Sequence, residues 1–181
     1  MHVMIDLETM GTAPNAPIVA IGACRFDANG VSEDKFYRQV SLQSSVDGGA
    51  TIEAGAVICW LKESKKARAA ILEAEGEDEW PALCDFTAWL KADELSGLWG
   101  NGAAFDNAIL SQTYRRYGQE APWRFSLDRC YRTVKNFSPI EMDRSGTHHH
   151  ALDDAVSQAK HLVAIWAAEQ ACATPGNNRG E

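Results

Sequence analysis

The sequence predicts a single α/β domain, with a mixed sheet (an antiparallel meander plus parallel strands) flanked by helices. Three observations carry this reading. Strand-like segments crowd the first 42 residues, helical periodicities dominate the rest, and one short apolar strand candidate interrupts the helices near residue 98. That order of elements marks an α/β domain with a mixed sheet. A chain of 181 residues suits one well-buried core.

Residues 2–5 are apolar-leaning and end in acid, so they read as a strand beginning almost at the terminus. A Pro-Asn-Ala-Pro turn follows at residues 14–17. Residues 18–26 are apolar and bounded by Asp-Ala-Asn-Gly, a strand with its turn. Residues 35–42 alternate as a third strand, and the three suit an antiparallel meander. Helices are expected over 56–61, 67–74 and 80–90, the last with Leu83, Phe86 and Leu90 at helical spacing. Leu98 and Trp99 form the short strand, ending at Gly100. Residues 105–117 read as a helix stopped by Gly118, and 127–136 as another. The last helix runs from about 151 to 171, with Leu152, Ala155, Val156, Ala159, Val163 and Trp166 repeating at its period. The domain is expected to occupy residues 1–173, and residues 174–181 to be a disordered tail.

Apolar residues make up 45% and charged residues 23%, an ordinary globular balance. No apolar run is long enough to cross a bilayer, and acid arrives too early for a signal peptide; a cytoplasmic protein with no membrane partner is expected. Five scattered cysteines with no CxxC pair argue against a zinc site or a disulfide framework. A net charge of −8 argues against coating nucleic acid through bulk charge, but not against gripping one strand end.

Three segments can carry chemistry. Asp6 and Glu8 lie two apart, so a strand presents both carboxylates on one side. Two such anions repel unless a cation bridges them, and oxygen ligands suit Mg²⁺ or Mn²⁺. The plainer reading is two solvated acids at a strand end. Asp106 follows Asn101 and Phe105 at the opening of a helix, where an acid also complements the helix dipole. Phe105 reads more readily as core than as a substrate contact. His148, His149 and His150 precede Asp153 and Asp154, and a neutral imidazole is the natural base near neutral pH. Two aspartates at a helix start also have a purely structural explanation. Together the three segments supply what a phosphodiesterase with two cations about 4 Å apart needs: several carboxylates and a base.

The triplet resembles the DEDDh 3′→5′ exonucleases of the ribonuclease H-like superfamily. Asp6-Leu7-Glu8-Thr9 with Gly11 is similar to their first motif, and Asn101 with Phe105-Asp106 to their second. His149, Ala151, Leu152, Asp154 and Ala155 are similar to their third, H-x-A-x-x-D. His148 and Asp153 have the same spacing, but matching Ala151 and Leu152 selects His149 and Asp154, leaving His148, His150 and Asp153 without assigned roles. Within the group the chain looks closest to exodeoxyribonuclease VIII-like nucleases and small bacterial exoribonucleases. The resemblance implies a ribonuclease H-like sheet and a metal-dependent exonuclease that releases nucleoside 5′-monophosphates from the 3′ end of single-stranded DNA or RNA. It implies two Mg²⁺ ions, with Mn²⁺ as substitute, held by Asp6, Glu8, Asp106 and Asp154, and His149 as the base. It places Thr9, Met10, Asn101 and Phe105 at the substrate, Met10 as an apolar wedge or else as core. Two basic clusters, Lys62, Lys65, Lys66 and Arg68, and Arg115, Arg116, Arg124, Arg129, Arg132 and Lys135, are candidates for phosphate contacts. Several relatives of this type dimerise, so a homodimer is among the expectations. The competing readings are a non-catalytic binding or polymerase proofreading module of the same fold, and a small-phosphoester hydrolase.

Overall fold

Strand β1 (His2–Thr9) is central, and its alternation organises the molecule. The computed structural model describes residues 1–72, 75–144 and 146–173. One sheet runs in the order β3-β2-β1-β4-β5. β2 (Ile18–Asp27) and β3 (Gly30–Gln39) complete an antiparallel meander with β1, while β4 (Gly97–Gly100) and β5 (Asp128–Cys130) add in parallel on the other side. The β2–β3 turn is tight: Asp27 pairs with Gly30, and Asp27 Oδ1 accepts the Asn29 amide at 2.7 Å. Gly30 sits there at φ +141°, which a side chain would strain.

Among the described residues, seven α-helices flank the sheet: α1 (Leu42–Asp47), α2 (Ala54–Lys62), α3 (Lys65–Leu72), α4 (Glu79–Leu90), α5 (Asp106–Arg116), α6 (Tyr131–Phe137) and α7 (Ala151–Ala173). Val3, Ile5 and Leu7 point to one face and pack with Leu83 and Phe86 of α4 and Ile109 and Leu110 of α5. Met4 points to the other and packs with Ala155, Ala159 and Leu162 of α7. With both faces covered, β1 is buried nearly throughout rather than on alternate residues, as expected of a central strand. By the period of two, Asp6 and Glu8 follow Met4 on the α7 face, beyond the point where that core ends.

The approach of α7 depends on a glycine and on small residues. Ala151, Ala155 and Ala159 are fully buried. Gly22 pairs with Asp6 across β1 and β2. A Cβ on Gly22 would lie 2.2 Å from the backbone of Ala151 and Leu152, so the start of α7 rests directly on the sheet there. That contact brings the first turn of α7 over the carboxylates of β1.

Several elements differ from the sequence reading: β1 runs on past the expected 2–5 to Thr9, β3 begins at Gly30 rather than at residue 35, and α1 is unexpected. The strand expected over 35–42 ends at Gln39, because Ser41 caps α1, its hydroxyl accepting the Ser44 amide. The helix expected over 127–136 is split: residues 128–130 pair with β4 as β5, and the helix begins only at Tyr131. Asp128 fixes that short edge by accepting Asn107 Nδ2 and Trp123 Nε1, both at 2.9 Å. The end of the helix expected over 67–74 and the tail 174–181 lie outside the described residues. No described helix is long and apolar enough to cross a membrane.

Candidate active site

A cleft of about 550 Å³ opens at the end of β1, between α2, the start of α5 and the start of α7. Asp6, Glu8, Thr9, Asn101, Phe105, Asp106, His149 and Asp154 all line it. Three distant segments of the chain therefore meet at one place. Met10 does not line the cleft; it is buried, its amide bonded to Pro17 O at 2.9 Å. Of the two readings open for it, apolar wedge or core, its burial fits core packing.

Each carboxylate is positioned differently. Asp6 Oδ1 accepts Gln158 Nε2 at 2.7 Å, and Gln158 lies one turn beyond Asp154 on α7. Asp106 Oδ1 accepts the Leu7 amide at 3.1 Å, which ties α5 to β1. Asp154 Oδ2 accepts the His149 amide at 2.9 Å, and its Oδ1 meets Arg144 Nη1 at 2.5 Å. Oxygen atoms of Asp6, Glu8 and Asp154 all lie within 4.8 Å of one another. Glu8 Oε1 and Asp106 Oδ2 are buried with no hydrogen-bond partner.

Crowding of buried acids perturbs them strongly. Burial, then repulsion from Asp106 and Glu8, holds Asp6 well above the ordinary carboxylate range, while the Gln158 bond opposes this. Burial pushes Glu8 up to about 8, helped by the charges of Asp154, Asp106 and Glu63. Burial raises Asp106 to about 7, against the lowering effect of the Leu7, Asp106 and Asn101 amides and the Arg132 charge. A site that raises its own carboxylates in this way favours cations. The donor set is all oxygen at its centre, which fits a hard divalent ion, and the two partnerless buried oxygens, Glu8 Oε1 and Asp106 Oδ2, are free to serve as ligands.

His149 borders the carboxylates in the left-handed region, at φ +60°. Its Nε2 lies 3.4 Å from Glu63 Oε1, and its ring meets the Trp60 edge at a centroid distance of 5.9 Å. Trp60 Nε1 donates to Thr9 O at 2.9 Å, tying α2 to the first acidic segment. His148 also lines the cleft, its ring 3.9 Å from that of His149. Burial, then the neighbouring charges of His149 and Arg144, lower its basicity. Asp153 is outside the cleft lining, and its Oδ2 accepts the Thr147 amide at 2.7 Å. The two registers open in the sequence therefore differ in space: Asp154 joins Asp6 and Glu8, and Asp153 braces the turn before α7.

The sequence is also similar to known proteins. It matches the 3′-5′ exoribonuclease Rv2179c-like domain over residues 1–166. The chain belongs to that family. It is accordingly an enzyme, a 3′→5′ exonuclease, and metal dependence is general to such nucleases. The nuclease domain of 3′hExo, a DEDDh family member bound to rAMP, has the same fold, with a TM-score of 0.60 at 16% identity over 92% of this chain and 91% of its own. A full-length 3′-exonuclease gives 0.57 at 14% identity over 92% of this chain and 60% of its own. A 3′-exonuclease that recognises the histone mRNA stem-loop gives 0.53 at 14% identity over 94% and 82%. No curated protein matches the chain by sequence. The ribonuclease H-like, mixed-sheet expectation holds.

Sequence reasoning missed Gln158 and Arg144. Gln158 had one signal, its spacing of four from Asp154 on the same helix face; Arg144 is a lone loop arginine and had none. Of the basic candidates, only Arg132 and Lys135 line the cleft. Arg116 is instead buried in an ion pair with Glu79 at 2.7 Å, which Ser45 and Tyr117 hydroxyls complete.

Proposed function

We propose that the exonuclease removes nucleotides from the 3′ end of single-stranded RNA as nucleoside 5′-monophosphates, using two divalent cations. Four carboxylates meeting in one open cleft, two of them with partnerless buried oxygens, carry this reading. Asp6, Glu8 and Asp154 would hold one cation and Asp106, with Asp6, the other; Mg²⁺ fits, with Mn²⁺ as substitute. Bound there, the cations would supply charge stabilisation on the scissile phosphate and the leaving 3′-oxygen. His149 takes the proton from the attacking water, and Glu63 stands where it can share the resulting imidazolium charge. Gln158 keeps the Asp6 carboxylate turned into the cleft. Phe105 offers a ring to the terminal base, a contact that tolerates any base. Asn101 Oδ1, buried without a partner, offers an acceptor to a ribose hydroxyl. Arg132 and Lys135 pair with backbone phosphates.

The exoribonuclease description of the family, and the rAMP and histone mRNA ligands of two structural neighbours, favour RNA over DNA. One catalytic unit spanning residues 1–173 accounts for the activity. A cytoplasmic setting suits five free cysteines.

The test uses matched RNA and DNA strands labelled at the 3′-terminal nucleotide, with Mg²⁺. Release of a labelled 5′-mononucleotide as the first product, faster from RNA, is expected. Labelled oligomers as first products would contradict 3′-end attack, and faster release from DNA would overturn the substrate assignment.

A further inference from the structure

Arg144 belongs to none of the three acidic segments, yet it reaches their centre. It lies on the stretch between α6 and α7, and its Nη1 donates to Asp154 Oδ1 at 2.5 Å. The other Asp154 oxygen is held by the His149 amide at 2.9 Å. Both oxygens of this carboxylate are thus engaged by the protein, whereas Glu8 and Asp106 each keep a buried oxygen without a partner. The arginine side chain is 42% exposed against 9% for Asp154, so the guanidinium has solvent into which it can swing while the carboxylate stays in place. The stretch is anchored just before it: His161 Nε2 bonds Ile140 O at 2.8 Å, and Tyr131 OH bonds Met142 Sδ at 3.4 Å. The stretch leading to Arg144 is therefore tied to α6 and α7, while the Arg144 side chain itself is 42% exposed.

Asp154 has oxygen atoms within 4.8 Å of those of Asp6 and Glu8. A divalent ion shared by the three would meet a guanidinium already on Asp154, two like charges a few ångströms apart. We propose that Arg144 is a placeholder cation: it neutralises Asp154 in the metal-free enzyme, leaves when metal arrives, and then grips a phosphate of the bound strand beside Arg132 and Lys135. The inference rests on the reading of Asp154 as a metal ligand. A guanidinium matches phosphate with paired hydrogen bonds, so the displaced arginine gains a partner that only the strand supplies. Metal and strand are thereby linked, each making room for the other's contacts, and linkage requires the effect to be reciprocal.

The experiment is a calorimetric titration of Mn²⁺ into metal-free wild type, Arg144→Gln, Arg144→Lys and Asp154→Asn, each with and without a nucleoside 5′-monophosphate. Without nucleotide, Arg144→Gln is expected to bind Mn²⁺ on the order of tenfold more tightly than wild type, and Arg144→Lys to stay near wild type. The nucleotide is expected to tighten Mn²⁺ binding in wild type and to do so less in Arg144→Gln. Unchanged or weaker Mn²⁺ binding by Arg144→Gln, with Asp154→Asn weakened, would reduce Arg144 to a surface ion pair and overturn the proposal. Mn²⁺ binding by Asp154→Asn as tight as wild type would instead overturn the assignment of Asp154 as a ligand, and the placeholder with it.

Discussion

Replacing Glu8 by Gln is expected to destroy activity while making the metal-free protein more stable. Glu8 is 6% exposed, and its pKa stands at about 8 against 4.5 when unconstrained. The folded value is the higher one, so between those pH values the folded state binds more protons than the unfolded state. Stability therefore falls as pH rises from 4.5 to about 8 and is level above that. Each pH unit in the window costs about 1.4 kcal/mol, so the cost is under ~1 kcal/mol at pH 5 and about 3 kcal/mol at pH 7. Gln removes that cost and adds the smaller one of a buried amide. A net gain of about 2 kcal/mol at pH 7, shrinking to near zero at pH 5, is expected. Urea unfolding in EDTA at the two pH values measures it, with an unchanged slope as the control for a common unfolded state. Saturating Mg²⁺ should then raise the midpoint of wild type and leave the variant nearly unmoved. A variant less stable than wild type at pH 7 in EDTA, or an equal gain at both pH values, would refute the electrostatic reasoning.

Other substitutions separate packing from chemistry. Gly22→Ala puts a methyl group 2.2 Å from the α7 backbone, so a loss of about 3 kcal/mol or more, read by thermal unfolding, should accompany displaced carboxylates and lost activity. Asp154→Asn should lower kcat by roughly two to three orders of magnitude, whereas Asp153→Asn, which keeps an acceptor for the Thr147 amide, should leave kcat within a few-fold; equal losses would contradict the register. Because Glu8 at about 8 and Asp106 at about 7 must release protons to accept a cation, Mg²⁺ affinity by calorimetry should climb between pH 6 and 8 and flatten above. A flat profile would remove these two carboxylates from the metal site.

The parts of the site legible in the sequence are those whose geometry is local. Asp6 and Glu8 share a side because a strand alternates, whereas Asp154 is singled out by the Ala151-Leu152 match to the family motif, since both Asp153 and Asp154 flank the apolar face of the helix and its period alone does not choose between them. The meander and the long last helix are legible for the same reason: their patterns extend over many residues. β5 is not, because the three residues Asp128, Arg129 and Cys130 are too few to carry a period and owe their strand form to β4 and to the Asp128 hydrogen bonds. The burial of Met10 is not legible because the backbone after Thr9, not the motif, decides where its side chain goes. Gly22 looks like any small residue in a strand until the start of α7 is placed against it. Arg116 shows how a basic cluster in sequence misleads, since one member is buried on Glu79 and others lie away from the cleft.

The most direct test is the degradation of a 5′-labelled single-stranded RNA by wild type, Asp6→Asn and His149→Ala, each in Mg²⁺ and in EDTA. The account predicts a ladder shortening from the 3′ end for wild type in Mg²⁺ alone, no ladder for Asp6→Asn, and one slowed by about 10²–10⁴-fold for His149→Ala. A ladder that persists in EDTA, or that Asp6→Asn produces at the wild-type rate, would contradict it.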